Sequence, residues 1–575
     1  MGYNFNPPGL LERMFQVKKD TGGKTELKRC LTLFPLIIQG LAHMLGAGIF
    51  VITPSIVQST AGPATCVSYI LSGLAAALSV ICYSDLASRY TCTGSAYVYT
   101  YFSLGEIAAA VSGFFLIGEL IIQAPMLTLG LSDNIDTFLI NGTVGAWEKS
   151  HFPDWMLHTD LLAIGIMLIF MVVNMVGIKA VSFLNIAIAV VSLISLVVFN
   201  GVALVKGDVE NLYKTVSPTD GRTGFAPFGF KGIVTGAGTA FFAFVGLESV
   251  VTLAEESVNP KRDLPRATFG SFLIVLLLYV MTAFSMAYFE PWHELGGNTG
   301  LIGSLKRRGF VVPQYIVTAG LMFTVFSCGL CTLTTVVRVV YSVAEDGLLF
   351  AFLSKVDKRT QIPLWNVLVC SVLGILGSIV YDFDTLSHMI SGGTLSVFVV
   401  TAIAVMILSY DLSDPEADDT EETPLTAQRT RTRKQLFAIL MCVFLVPTII
   451  LAVLGAFLDQ SAPVIAAEVI LSILMLTSLV LIHLKIPLNR EETDGTLSFR
   501  SPGKPFVQGF SVLINLVLLL HLEANALKQL AIYVIVGLIV YFGYGIFFSK
   551  VTAKKQEQST KNVSLEESYA ETSVT

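Results

Sequence analysis

Apolar stretches of about 20 residues recur along almost the whole chain, and each is long enough to cross the ~30 Å hydrocarbon core of a bilayer. One such stretch could be the buried helix of a soluble protein. Fourteen in succession could not, because a soluble fold of 575 residues needs polar surface that this sequence lacks. Only 14% of its residues are charged, against roughly 25% in soluble domains, and the mean hydropathy is +0.72. The candidate spans are 33–53, 65–83, 106–132, 160–178, 182–205, 231–252, 267–289, 312–337, 363–381, 385–409, 435–458, 462–484, 505–521 and 526–548. They predict an all-α polytopic membrane protein. A short N-terminal segment (1–32) leads into ten spans (33–409), a charged linker (410–434), four further spans (435–548) and a polar tail (549–575).

Basic residues set the expected orientation. With a cytoplasmic N-terminus, 27 of the 36 Lys and Arg fall on the inner side and nine on the outer, Lys231 and Lys528 among them at the outer ends of their spans, which is the positive-inside signature. An even number of spans then places both termini in the cytoplasm. The outer loop 133–159 carries Asn141-Gly142-Thr143, a glycosylation acceptor sequence on the permitted side. The net charge of −6 says little about partners, and no nucleic-acid partner is expected; the surroundings are lipid. Most of the eight cysteines lie in or beside apolar spans and read as packing residues rather than a disulfide framework. No His/Cys/carboxylate cluster has metal-ligand spacing, no phosphate-cradling loop appears, and no nucleophile–base motif stands out. Neither an enzyme nor a metal or cofactor site is expected.

Polar and helix-breaking residues inside a span are costly, so they mark functional positions unless neighbours bury them. The first span holds Gly46-Ala47-Gly48 between apolar halves. An unwound helix there would aim freed N–H groups at an anion such as a carboxylate; a small-residue packing face is the alternative. The sixth span repeats the theme with Gly232, Gly236 and Gly238 ahead of Phe241 to Glu248, where loosened carbonyls could receive an ammonium group. Breaks five spans apart are what inverted five-helix repeats produce. In the third span, Glu119 lies thirteen residues beyond Glu106, ~20 Å deeper at 1.5 Å per residue. The spans hold no Lys or Arg at that depth to neutralise it, Lys231 and Lys528 standing at outer span ends. It is therefore protonated, hydrogen-bonded, or waiting for a cation.

Six segments in order resemble the cationic amino acid transporters of the amino acid–polyamine–organocation (APC) superfamily. They are residues 40–50, Thr93 to Tyr99 with Gly105-Glu106, Phe241 to Pro260, Arg338 to Phe350, Met389 to Leu395, and Gly537 to Ser549. The resemblance covers nearly the whole chain. It implies a ten-helix (5+5) inverted-repeat core with broken helices 1 and 6, plus four further helices. It implies carboxylate binding around Gly46, Ala47 and Gly48, and amino-group binding near Phe242, Ala243 and Val245, with Phe242 as an aromatic lid. Thr332 matches a small polar position lining the side-chain pocket, and Glu119 an acidic position of the third span.

Ser192 stands where proton-coupled relatives carry a lysine, and the loop 133–159 has no Cys with which to tether a disulfide-linked heavy chain. The departures are His43 and Met44 before the glycines, and Glu248 where many relatives have Asp. His43, Glu106 and Glu248 are further candidates for gating or coupling. The expected activity is sodium-independent transport of cationic L-amino acids by alternating access, facilitated or by exchange, at the plasma membrane. A neutral amino-acid or GABA-type transporter of the same fold, in a lysosomal membrane, and a low-flux amino-acid sensor are the alternatives.

Overall fold

In hydrocarbon a backbone has no water to bond, so an apolar run satisfies its peptide groups only by coiling. The computed structural model describes residues 14–18, 29–139, 143–151, 160–214, 221–295, 300–358, 360–380, 383–411, 424–457, 461–489, 498–522 and 524–549. Among these the chain is helical nearly throughout, with two isolated β-bridges in place of any sheet.

The helices, in order, are α1 (Leu33–Ala47), α2 (Thr53–Ser59), α3 (Thr65–Arg89), α4 (Ala96–Ser103), α5 (Glu106–Leu139), α6 (Thr143–His151), α7 (Leu161–Val176) and α8 (Ile178–Lys206). There follow α9 (Glu210–Tyr213), α10 (Gly229–Ala240), α11 (Glu248–Val251), α12 (Pro260–Phe289), α13 (Gly300–Arg307), α14 (Val311–Glu345), α15 (Leu364–Val380) and α16 (Phe383–Leu408). The C-terminal set is α17 (Pro424–Phe457), α18 (Ala462–Lys485), α19 (Phe506–Leu520), α20 (Ala524–Val540) and the short α21 (Ile546–Phe548). Eight helices among the described residues are long and apolar enough to cross a membrane, or nine when the bent pair α1–α2 counts as one span. Four shorter apolar helices accompany them: α7, α15, residues 392–408 of α16, and α19.

α1 packs against α12 and α14, and α5 packs against α14 and α16, so that α1, α5 and α14 enclose the same interior. α17 and α18 pair with each other, and α19 joins them to α16. A buried ionic knot fastens this C-terminal group to the rest. Asp85 accepts from Arg89 Nε (2.6 Å), Lys504 Nζ (2.7 Å) and the Ser501 amide (2.7 Å). Arg89 reaches on to the Leu408 carbonyl at the end of α16.

At the other edge of the core, the Cys30 and Leu31 amides donate to the Glu256 carbonyl. Arg338 of α14 grips the Glu256 carboxylate through its Nη2 (2.6 Å) and Nε (3.3 Å).

Helix ends differ from the hydropathy limits wherever a polar turn can still coil. α5 continues to Leu139, and α17 begins at Pro424, so the basic half of the linker forms the first turns of a helix. No disulfide joins any of the eight cysteines among the described residues.

Candidate functional site

Two helices are interrupted where the glycines fall. In α1, Gly46 leaves helical geometry (φ −13°, ψ −138°), a π-helical stretch covers Gly48–Ile52, and the axis bends by 41°. In the sixth apolar segment, α10 stops at Ala240, Phe241–Phe244 form a 3₁₀ turn, and Gly246 takes φ +105° before α11 begins. That φ belongs to the left-handed side of the map, which glycine enters without steric cost.

The breaks face one another. A Cβ on Gly48 would lie 3.4 Å from the Ala243 Cα, and one on Gly246 would lie 2.7 Å from Cγ of His43. A side chain on Gly246 would have to displace the His43 ring, while one on Gly48 would just touch the Ala243 backbone and collide with Tyr279. Tyr279 of α12 donates to the Met44 carbonyl at 3.1 Å and fills the space beside Gly48.

His43 gathers the neighbouring helices. Its Nε2 lies 3.1 Å from Gln123 Oε1 of α5 and 3.1 Å from Thr332 Oγ1 of α14. Cys328, one turn before Thr332, donates its thiol to the His43 carbonyl and packs against Gly46. Thus Gly46, Gly48, Ala243, His43 and Thr332 come together. Val245 is buried in the same interruption. Ala47 and Phe242 stand at the two breaks by backbone position.

Glu119 projects from α5 one turn ahead of Gln123, on the same helix face. It accepts from the Thr394 hydroxyl of α16, and Gly393 lets the two helices close, since a Cβ there would lie 2.8 Å from Glu119 Cβ. Its Oε2 has no partner among the described residues, and buried Glu248 has no side-chain partner among them. No Lys or Arg pairs with either carboxylate among the described residues.

Glu106 is elsewhere. It accepts from Tyr101 (2.7 Å), Ser549 (2.5 Å) and Tyr541 (3.1 Å), so it anchors the C-terminal helix end to the start of α5. Ser192 bonds back to the Ile188 carbonyl of its own helix. Asn141 lies outside the described residues.

Gln123, Gly246, Tyr279, Cys328 and Thr394 were not among the site residues expected from the sequence. Gln123 had a visible signal, being a polar residue one turn from Glu119 within an apolar span. Thr394 and Gly393 sit inside one of the six resembling segments. Tyr279 had none.

The family model described as "Amino acid permease" matches residues 30–473, and "C-terminus of AA_permease" matches residues 499–549. The chain belongs to the amino acid permease family. Similar curated proteins include "Cationic amino acid transporter 4" of Mus musculus, 28% identical over 94% of this chain and 91% of its own length. "Cationic amino acid transporter 4, vacuolar" of Arabidopsis thaliana is 26% identical over 92% of this chain and 93% of its own length. "Cationic amino acid transporter 2, vacuolar" of the same plant is 31% identical over 67% of this chain and 60% of its own length. The permease is therefore a multi-pass transmembrane protein of amino-acid transport, with a small-molecule amino acid as its substrate. The resemblance drawn from the six segments holds across the chain.

Proposed function

We propose that this permease carries cationic L-amino acids such as arginine, lysine and ornithine by alternating access and without sodium, as a facilitator or exchanger. The 5+5 inverted-repeat core spans residues 33–409, with α1–α2 and α10–α11 as its broken first and sixth helices in a fourteen-span protein. The substrate carboxylate sits at Gly46, Ala47 and Gly48. Its ammonium group meets the backbone of Phe242, Ala243 and Val245, and Thr332 lines the side-chain pocket.

One observation carries the cationic reading: Glu119 is buried with one oxygen unpartnered and no protein cation beside it. A carboxylate so placed has its charge matched when a guanidinium or ammonium arrives. Membrane potential then drives uptake at ~2.3 kcal/mol per charge per 100 mV. The protein works at the plasma membrane with both termini cytoplasmic, without a disulfide-linked heavy chain, and carries glycan on Asn141.

Arginine uptake measured at several membrane potentials, with sodium replaced by choline, tests this. Saturable, voltage-sensitive, sodium-independent uptake that Glu119→Gln abolishes is expected. Uptake of alanine or leucine with none of arginine would reject the cationic assignment and leave the neutral one, which the Thr394 hydroxyl already bonded to Glu119 would then explain.

A further inference from the structure

We infer that His43 reads the end of the substrate side chain, its Nδ1 forming with Glu119 and Glu248 an acceptor set for a multi-donor cation. This rests on the cationic reading above.

The tautomer of His43 follows from its partners. The Thr332 hydroxyl has one proton, and the Cys328 carbonyl accepts it at 3.0 Å, so toward His43 the Thr332 oxygen can only accept. Gln123 presents its carbonyl oxygen to the same ring nitrogen. Nε2 therefore carries the proton and donates to both. Nδ1 is left as a bare lone pair, buried and without a partner among the described residues.

Gln123 and Glu119 share one face of α5, so the group that holds the imidazole and the free carboxylate oxygen are adjacent turns of one helix. Gly246, whose missing side chain admits the ring, lies two residues before Glu248. His43 Nδ1 and Glu119 Oε2 are thus buried and without a partner among the described residues, and with Glu119 and Glu248 ionised they and the buried Glu248 carboxylate, which has no side-chain partner there, are all acceptors. An ammonium offers three donors to such a set and a guanidinium five, while an aliphatic side chain offers none. The imidazole adds an acceptor without adding charge, so it selects for N–H geometry where the carboxylates select for charge.

The test compares lysine with norleucine, which lacks only the terminal nitrogen, as competing ligands of the full-length protein in liposomes. A Gln amide reaches the position of the ring Nε2 and an Asn amide that of Nδ1. His43→Gln is expected to keep the bonds to Gln123 and Thr332 yet weaken lysine about tenfold or more, the worth of a hydrogen bond to a charged group, with norleucine unchanged. His43→Asn is expected to retain the preference for lysine. Equal losses for both ligands, or no change for either, in His43→Gln overturn the inference and make His43 a structural residue.

Trimethyl-lysine needs no variant, because it keeps the charge and has no N–H. It should bind the wild-type protein at least about tenfold more weakly than lysine, and equal affinity overturns the inference. Wild-type protein that binds norleucine and refuses lysine overturns the cationic reading as well. An intact preference for lysine that His43→Gln leaves unmoved overturns this inference alone.

Discussion

Gly48→Ala isolates the contact on which a site between two broken helices depends. Gly48 has ordinary right-handed helical dihedrals (φ −56°, ψ −48°), so alanine meets no backbone strain there and the effect is purely one of space. The new methyl would stand inside van der Waals contact of Tyr279 Oη, 3.2 Å from Tyr279 Cζ and 3.4 Å from the Ala243 backbone. The Ala243 side cannot yield without moving the 3₁₀ turn, so the tyrosine must withdraw by about 1 Å to reach ordinary contact near 3.5 Å. That withdrawal breaks its bond to the Met44 carbonyl. Overpacking of this kind costs about 1–3 kcal/mol and the lost hydrogen bond about 1 kcal/mol, less about 1 kcal/mol for the better helix former. A net penalty of about 1–3 kcal/mol on the substrate-competent arrangement corresponds to roughly 5- to 150-fold in uptake efficiency.

Tyr279→Phe removes the offending oxygen and is expected to cost about tenfold or less by itself. In that background Gly48→Ala should recover much of its loss, because a shift of a few tenths of an ångström then suffices. Uptake at saturating and limiting substrate, normalised to surface protein, gives the double-mutant cycle, and contacting residues should couple by about 1–2 kcal/mol. Additive losses, or wild-type transport by Gly48→Ala alone, would refute the claim that the first break is held by close approach to Tyr279 and Ala243.

Two further perturbations concern the ties around the core. Glu256→Ala leaves the buried Arg338 guanidinium without the carboxylate that neutralises it, a loss worth about 3–5 kcal/mol. It should lower the thermal midpoint in detergent, while Arg338→Met with Glu256→Met restores most of it; a double variant as unstable as the single one would exclude the charge as the cause. Asp85→Asn should also destabilise, and with a pH signature. Burial pushes the Lys504 ammonium below its usual range while Asp85 pushes it back up. Without Asp85 the unfolded chain binds more protons at this lysine than the folded one does, so stability rises with pH. The deficit of Asp85→Asn relative to wild type should therefore narrow between neutral and alkaline pH, as followed by thermal unfolding at a series of pH values. A deficit that widens would show that Lys504 is not the uncompensated group.

The breaks were legible because a glycine cluster inside an apolar run has few other uses, and Glu119 was legible because a carboxylate there is expensive whatever surrounds it. The partners of these groups were not. Thr394 meets Glu119 from 275 positions away, and Ser549 meets Glu106 from 443. Such meetings depend on how each helix is rotated about its own axis. In a soluble helix the apolar stripe reveals that rotation. In a membrane the lipid-facing side is as apolar as the packed side, so the stripe carries no information.

What survives is the opposite signal, carried by small and polar residues. Along α8, Asn185, Ser192, Ser195 and Asn200 are all buried, while Phe183, Ile194 and Val197 point outward, Phe183 at 75% exposure. Asn185 bonds Gln39 and Ser327, and Asn200 bonds Thr282, so each polar position names a neighbouring helix. Read this way, Gln123 on α5 marks the inward face as surely as Glu119 does. The residue it meets, His43, is the one polar side chain placed one turn before the glycines of the broken first helix. Polar spacing within spans thus carries rotational information that hydropathy discards, and it points to the same interior face that the two breaks open onto.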